Sequence, residues 1–161
     1  MLSFFLDTNR INSKEQCEHM NELEQLAAQG KCSLLMPYSA WKEAETGNNE
    51  LRKSKTWEYF YIQPIKNESQ KYWYDVIETI VFPNGARTEN EKNDLWILVT
   101  AREMNYPIIT NDGNSKKQPG GMLGNVQELK KIGVIVIRDS EAVAWIKADG
   151  ASSLHVTWNR G

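Results

Sequence analysis

Four acidic residues stand where one type of local structure gives way to another: Asp7, Glu43, Asp94 and Asp112. Asp7 closes the apolar run "FFLDTN", and Asp112 closes "PIITND". Glu43 lies about one turn into a helical stretch that follows "CSLLM", and Asp94 lies in the first turn of another. Taken singly, each has a plain structural account. Asp7 can form an Asx-type turn, "NDG" can form a hairpin turn, and Glu43 and Asp94 suit helix N-termini. Taken together they would crowd negative charge, which destabilises unless something positive intervenes, and no matching set of basic residues lies beside them. A hard divalent cation resolves this, because carboxylate oxygens suit Mg²⁺ or Mn²⁺, one ion or two, with waters retained. A zinc site is disfavoured: His19 and His155 fall outside the cluster, and Cys17 and Cys32 lack a metal-type spacing. Glu45 competes with Glu43, but residues two apart on a helix face different directions. Thr8, Asn9 and Thr110 are placed either to orient carboxylates by hydrogen bonding or simply to form turns.

These residues need elements to bring them together. Continuously apolar runs at 3–6, 32–36, 107–110 and 134–137 read as strands covered on both faces. Helical spacing marks 14–29, a short helix from Ser39 (its expected N-cap) to Thr46, and 67–81, 91–104, about 124–131 and 140–148. Strands alternating with helices predict one α/β domain over 1–150, with a mostly parallel sheet between two helical layers. The tail at 151–161 has weak strand character, with Leu154, Val156 and Trp158 available to order it. Ligands of such sheets bind beyond the carboxyl ends of the strands. Asp7 and Asp112 lie at that edge, and so do the N-terminal ends of the helices that carry Glu43 and Asp94.

Bulk properties narrow the class. The chain has 161 residues, 40% hydrophobic and 25% charged, with a net charge of -2, which excludes nucleic-acid binding driven by overall charge. No apolar run approaches the ~20 residues of a membrane span. The first residues lack the basic start of a signal peptide, and a single cysteine pair reads as free buried thiols. These features predict a cytoplasmic protein without membrane attachment.

Local basic groups remain. "RKSKTWEYFY" interleaves Arg52, Lys53 and Lys55 with aromatic residues, a combination used to bind single-stranded nucleic acid and equally found in cores and dimer contacts. Lys116 and Lys117 follow Asp112 in a Gly-rich loop at 111–125, placed to meet phosphates. Trp41 and Trp96, beside Glu43 and near Asp94, read as core positions.

The stretches "FFLDTN", "MPYSAWKE" and "NEKNDLWILVTAREMNYPIITND" resemble the PIN-domain family of metal-dependent ribonucleases over about residues 1–137. The resemblance implies an α/β/α sandwich, phosphodiester hydrolysis in single-stranded or structured RNA, and Asp7, Glu43, Asp94 and Asp112 as catalytic ligands of Mg²⁺ or Mn²⁺. It further implies the toxin of a toxin–antitoxin pair, with an antitoxin or inhibitor protein as partner; a homodimer is left open by the aromatic residues of "RKSKTWEYFY". Many members carry another acid soon after the last aspartate; here Gly113, Asn114 and Ser115 follow, which leaves Asn114 or Ser115 to contact the ion's water. A structure-specific nuclease and a non-catalytic PIN-like interaction module are the alternatives. Phosphoryl transfer through an aspartyl-phosphate is disfavoured, since "DTN" lacks the second Asp and the Lys that chemistry needs.

Overall fold

A computed structural model describes the backbone of residues 1–160 and the side chains of residues 1–150. Strand β1 (Leu2–Leu6) is followed by α1 (Glu18–Ala28), β2 (Cys32–Pro37), α2 (Tyr38–Thr46), α3 (Glu50–Thr56) and β3 (Tyr61–Ile62). Then come α4 (Glu68–Val81), α5 (Glu89–Met104), β4 (Ile108–Ile109), α6 (Val126–Lys131), β5 (Val136–Ile137) and α7 (Asp139–Arg160). The strands form one parallel sheet in the order β3-β2-β1-β4-β5. This is the three-layer α/β/α architecture expected from the alternation of strands and helices.

The sheet centre is dry. Phe4, Phe5, Leu6, Ile108 and Ile109 are fully buried, as continuous apolar runs must be when helices cover both faces. Neighbouring strand residues point to opposite faces. Phe4 packs edge-on against Trp145 of α7, whereas Phe5 packs against Tyr106, just beyond α5. Helix α1 lies on α7, while α5 lies between α2 and α4. Helix α5 is buried at Leu95, Ile97, Leu98, Val99, Thr100 and Ala101, almost all round, as a central helix should be. Thr88 caps its start by accepting from the Glu91 N–H at 3.1 Å. Asn105 ends it in the left-handed conformation at φ 56°.

Several expectations need correction. Ser39 is not the cap of α2: the helix begins at Tyr38 after Pro37, and no side chain caps it. Proline's fixed φ and the preceding strand set that start instead. Helix α3 and the two-residue strand β3 had no periodicity long enough to reveal them. The tail holds no strand; α7 runs on to Arg160, and Gly150 does not prevent it, since an interior glycine costs only ~1 kcal/mol. The ordering role of Leu154, Val156 and Trp158, and the position of the His155 side chain, lie outside the described side chains. Both thiols are free, but only Cys32 is buried; Cys17 is half-buried at the start of α1.

Candidate active site

Asp7 is positioned by the end of β1 and held from three directions. The Thr8 N–H donates to its Oδ1 at 2.7 Å, Thr110 Oγ1 donates to Oδ2 at 2.7 Å, and Asn9 Nδ2 donates to Oδ2 at 3.3 Å. Its side chain is almost completely buried. Burial raises its pKa, opposed by the bonds from Thr110 and Thr8. Asn9 and Thr110 thus orient the carboxylate. The Thr8 side chain does not: its hydroxyl donates to the Ala40 carbonyl at 3.2 Å, fastening α2 to the turn after β1, and only its backbone serves Asp7.

Asp112 stands just past β4 in a loop folded tightly around it. Its N–H donates to Thr110 Oγ1 at 3.0 Å, its Oδ1 accepts from Gln118 Nε2 at 2.8 Å, and its Oδ2 accepts from the Met122 N–H at 3.1 Å. Glycine is required here. Gly113 has φ +93°, and a Cβ on it would collide with the Gly120 carbonyl oxygen. Asn114 and Ser115 belong to that loop's internal bonding rather than to the site: Ser115 Oγ accepts from the Gln118 N–H at 3.0 Å. In this loop the Asn114 N–H donates to the Gly120 carbonyl at 3.1 Å, and neither Asn114 nor Ser115 is among the residues lining the carboxylate cavity.

Glu43 enters from α2 and Asp94 from α5. With Asp7 and Asp112 they line a single open cavity of about 230 Å³, together with Thr8, Asn9, Arg52 and Asn90. Glu45 is outside it, paired with Lys42 at 3.3 Å on the surface. Burial raises the Glu43 pKa, as does the Asp7 charge, while an Asn93 hydrogen bond and Arg52 oppose the rise. Nothing opposes it at Asp94, where burial and the charges of Asp7, Asp112, Glu43 and Glu91 lift the pKa to about 8. Four carboxylates thus share the cavity with a single lining cation, Arg52.

Arg52 is the one cation lining this cavity, and its Nε is buried without a hydrogen-bond partner among the described residues. It reaches the site because α3 is pinned down: Asn49 caps the helix at the Arg52 N–H, and Trp41 Nε1 donates to the Thr56 carbonyl at 3.2 Å. Lys53, one residue on, faces away and pairs with Glu50 at 3.4 Å. Lys55 is likewise engaged, with Glu24 and Glu58. Lys116 and Lys117 are exposed on the Asp112 loop. Trp41 and Trp96 are half-buried and pack against the core. Asn90 and Asn93 were not singled out from sequence; the i, i+4 relation of Asn90 to Asp94 was the available signal. Gln118 had none, because loop folding alone delivers it.

The donor chemistry fits a hard divalent cation: carboxylate oxygens from four elements line one cavity, and burial first, then the charge of neighbouring acids, raises the pKa of Asp7, Glu43 and Asp94. Among the described residues, no three His, Cys, Asp or Glu side chains stand close enough together to hold an ion as placed. An ion held by three of these carboxylates would need their side chains to close inward.

The parallel sheet order, the flanking helices and this edge cavity define a PIN-like fold. A chain of VapBC2 from Rickettsia felis, crystallised bound to a DNA fragment from their promoter, shares it at TM-score 0.53 and 18% identity, over 85% of this chain and 98% of that one. VapBC-5 from Mycobacterium tuberculosis, a member of the VapBC family of toxin-antitoxin systems, aligns at TM-score 0.48 and 14% identity, over 86% and 99% of the two chains. No protein-family model and no curated protein sequence matches the chain. No helix among the described residues is long and apolar enough to cross a membrane.

Proposed function

We propose that the protein is a metal-dependent endoribonuclease that hydrolyses phosphodiester bonds in RNA, acting in the cytoplasm as the toxin of a toxin–antitoxin pair. The observation that carries the catalytic part is the convergence of Asp7, Glu43, Asp94 and Asp112 on one open cavity from four separate elements. The toxin role, and an antitoxin as its partner, rest on the sequence resemblance and gain support from the fold shared with a VapBC2 chain.

In this reading the four carboxylates hold Mg²⁺ or Mn²⁺. When bound, such an ion would supply charge stabilisation at the phosphate and would lower the pKa of a water so that hydroxide is available as the nucleophile. The protein's own contributions can be followed residue by residue. Asp7, held by Thr8, Asn9 and Thr110, is the fixed acceptor around which the others assemble. Burial and the neighbouring acids push the Asp94 pKa up to about 8, and an opposing charge in the cavity would favour its ionised form. Arg52 lines the cavity, with its buried Nε unpaired among the described residues, and a guanidinium there suits nonbridging phosphate oxygens. Hydrolysis forms one P–O bond to water and breaks one to the leaving ribose oxygen, which takes up a proton.

The test is cleavage of labelled single-stranded RNA with Mg²⁺, Mn²⁺ or EDTA, for wild type and Asp94→Asn. Metal-dependent cleavage lost at least ~100-fold in the variant, with RNA affinity retained, is expected for groups that act on transition-state charge. Cleavage that survives both EDTA and Asp94→Asn would overturn the reading. One observation favours a non-catalytic interaction module instead: no three of the acids are gathered closely enough to hold an ion as they stand. RNA binding without metal-dependent cleavage on any substrate would decide for that module.

A further inference from the structure

The carboxylate cavity adjoins two others, which together form a row along one face. It shares Glu43 and Asn90 with a second cavity of about 310 Å³ on the face made by α2, the segment after β3 and the start of α5. That cavity in turn shares Lys66 and Trp96 with a third of about 670 Å³, which reaches α4. Aromatic rings and lysines alternate along it. Tyr38 and Trp96 wall the middle cavity and Tyr74 the outer one. Tyr74 and Trp96 pack with ring centroids 4.9 Å apart, and the Lys66 ammonium sits 4.8 Å over the Trp96 ring. Lys42, on the middle cavity, is exposed and held only by its surface pair with Glu45.

We propose that this groove is the track along which a single strand of RNA reaches the carboxylates, with bases against Tyr38, Trp96 and Tyr74 and phosphates against Lys42 and Lys66. The proposal rests on the ribonuclease reading above. Aromatic faces accept any base, because every base presents a π-face, and lysines between them follow the backbone charge. A duplex keeps its bases stacked on one another and offers no free face to such walls. Lys66 has a flexible stem, so its ammonium can leave the Trp96 ring for a phosphate when a base arrives. The outer cavity is lined by Lys66 and Lys71 as well as by Glu68 and Asp75, so its charges balance, and what it adds is the Tyr74 and Trp96 rings rather than a net attraction for phosphate. Continuity with the acidic cavity distinguishes the groove from the exposed Trp57 and Phe60, which lie outside all three cavities.

The experiment measures binding without turnover: Asp94→Asn in EDTA, titrated with a fluorescent single-stranded RNA, the matching DNA strand and an RNA duplex across a range of salt. Adding Lys42→Glu with Lys66→Glu is expected to weaken single-strand RNA binding at least tenfold. The salt slope should shrink by about 1.4, the value for two lost phosphate contacts on a single strand. Lys130→Glu with Lys131→Glu, on the exposed face of α6, should change affinity less than twofold. RNA carrying 5-iodouridine should photo-cross-link to peptides containing Tyr38, Tyr74 or Trp96, a readout that needs no substitution in the groove. Unchanged single-strand affinity in the Lys42/Lys66 variant, equal binding of the duplex, or cross-links confined elsewhere would overturn the track. If the track fails while metal-dependent cleavage is abolished by Asp94→Asn, the ribonuclease reading stands without it. Single-strand binding that meets these expectations without cleavage under any metal supports the groove and overturns the ribonuclease reading. Neither binding nor cleavage overturns both.

Discussion

Thr110 Oγ1 donates to Asp7 Oδ2 at 2.7 Å, joining residues 103 positions apart at the carboxyl ends of β1 and β4. The same oxygen accepts the Asp112 N–H at 3.0 Å, so one hydroxyl fixes two of the four carboxylates. Thr110→Val keeps the shape and removes both bonds. The expected loss of stability is about 1–3 kcal/mol, since a buried carboxylate loses a donor. Urea denaturation would measure it, and RNA cleavage should fall with it.

A second prediction follows from the raised acid pKa values. Asp94 ionises near 8 in the folded chain against 3.8 when exposed, and burial raises Asp7 and Glu43 in the same direction. The folded state therefore binds more protons than the unfolded state between about pH 4 and 8, and stability falls as pH rises through that window. The metal-free protein should melt at a lower temperature at pH 8 than at pH 5. Asp94→Asn should flatten the dependence and stabilise the protein at pH 8. A melting temperature independent of pH across this range would show that the carboxylates do not crowd one another.

Metal should reverse that effect. An ion binding only the native state raises the melting temperature by mass action, so Mn²⁺ or Mg²⁺ at millimolar concentration should stabilise the wild type at pH 8. Asp7→Asn and Asp112→Asn should each reduce the rise. Manganese should support more cleavage than magnesium, because it binds mixed and imperfect donor sets more tightly. Calorimetric scans of wild type and variants that are all indifferent to Mn²⁺ would exclude a functional site.

Gly113→Ala tests the Asp112 loop. The residue has φ +93°, and its added carbon would strike the Gly120 carbonyl. A loss of more than about 1 kcal/mol is expected, as for a side chain placed where the backbone cannot accommodate it. Gly30→Ala, at φ +74° with open space around it, should affect stability through the backbone strain alone and leave cleavage untouched.

Lys116→Ala with Lys117→Ala probes the loop that carries Asp112. Both are exposed beside Asp112, and their loss should weaken RNA binding while reducing its salt slope by about 1.4. Asp94→Asn should leave that slope unaltered. Equal slopes in wild type and the lysine variant would remove these residues from the RNA contact.

The sequence by itself determined the layers, because continuous apolar runs and helical spacing are local signals. It placed β1, β2, β4 and β5, although β4 and β5 each pair over only two residues. It also placed Asp7, Glu43, Asp94 and Asp112 at one edge, since a parallel sheet with antiparallel helices admits no other arrangement. Tertiary structure decided which way side chains point. Thr8 and Asn9 are adjacent turn residues of similar chemistry, yet the Thr8 hydroxyl ties α2 while the Asn9 amide reaches Asp7. Arg52 and Lys53 are adjacent cations, yet only Arg52 turns to the cavity, because helix α3, too short to show a period, rotates it there. Neighbours in sequence share propensity but not direction, and direction follows from packing among residues tens of positions apart.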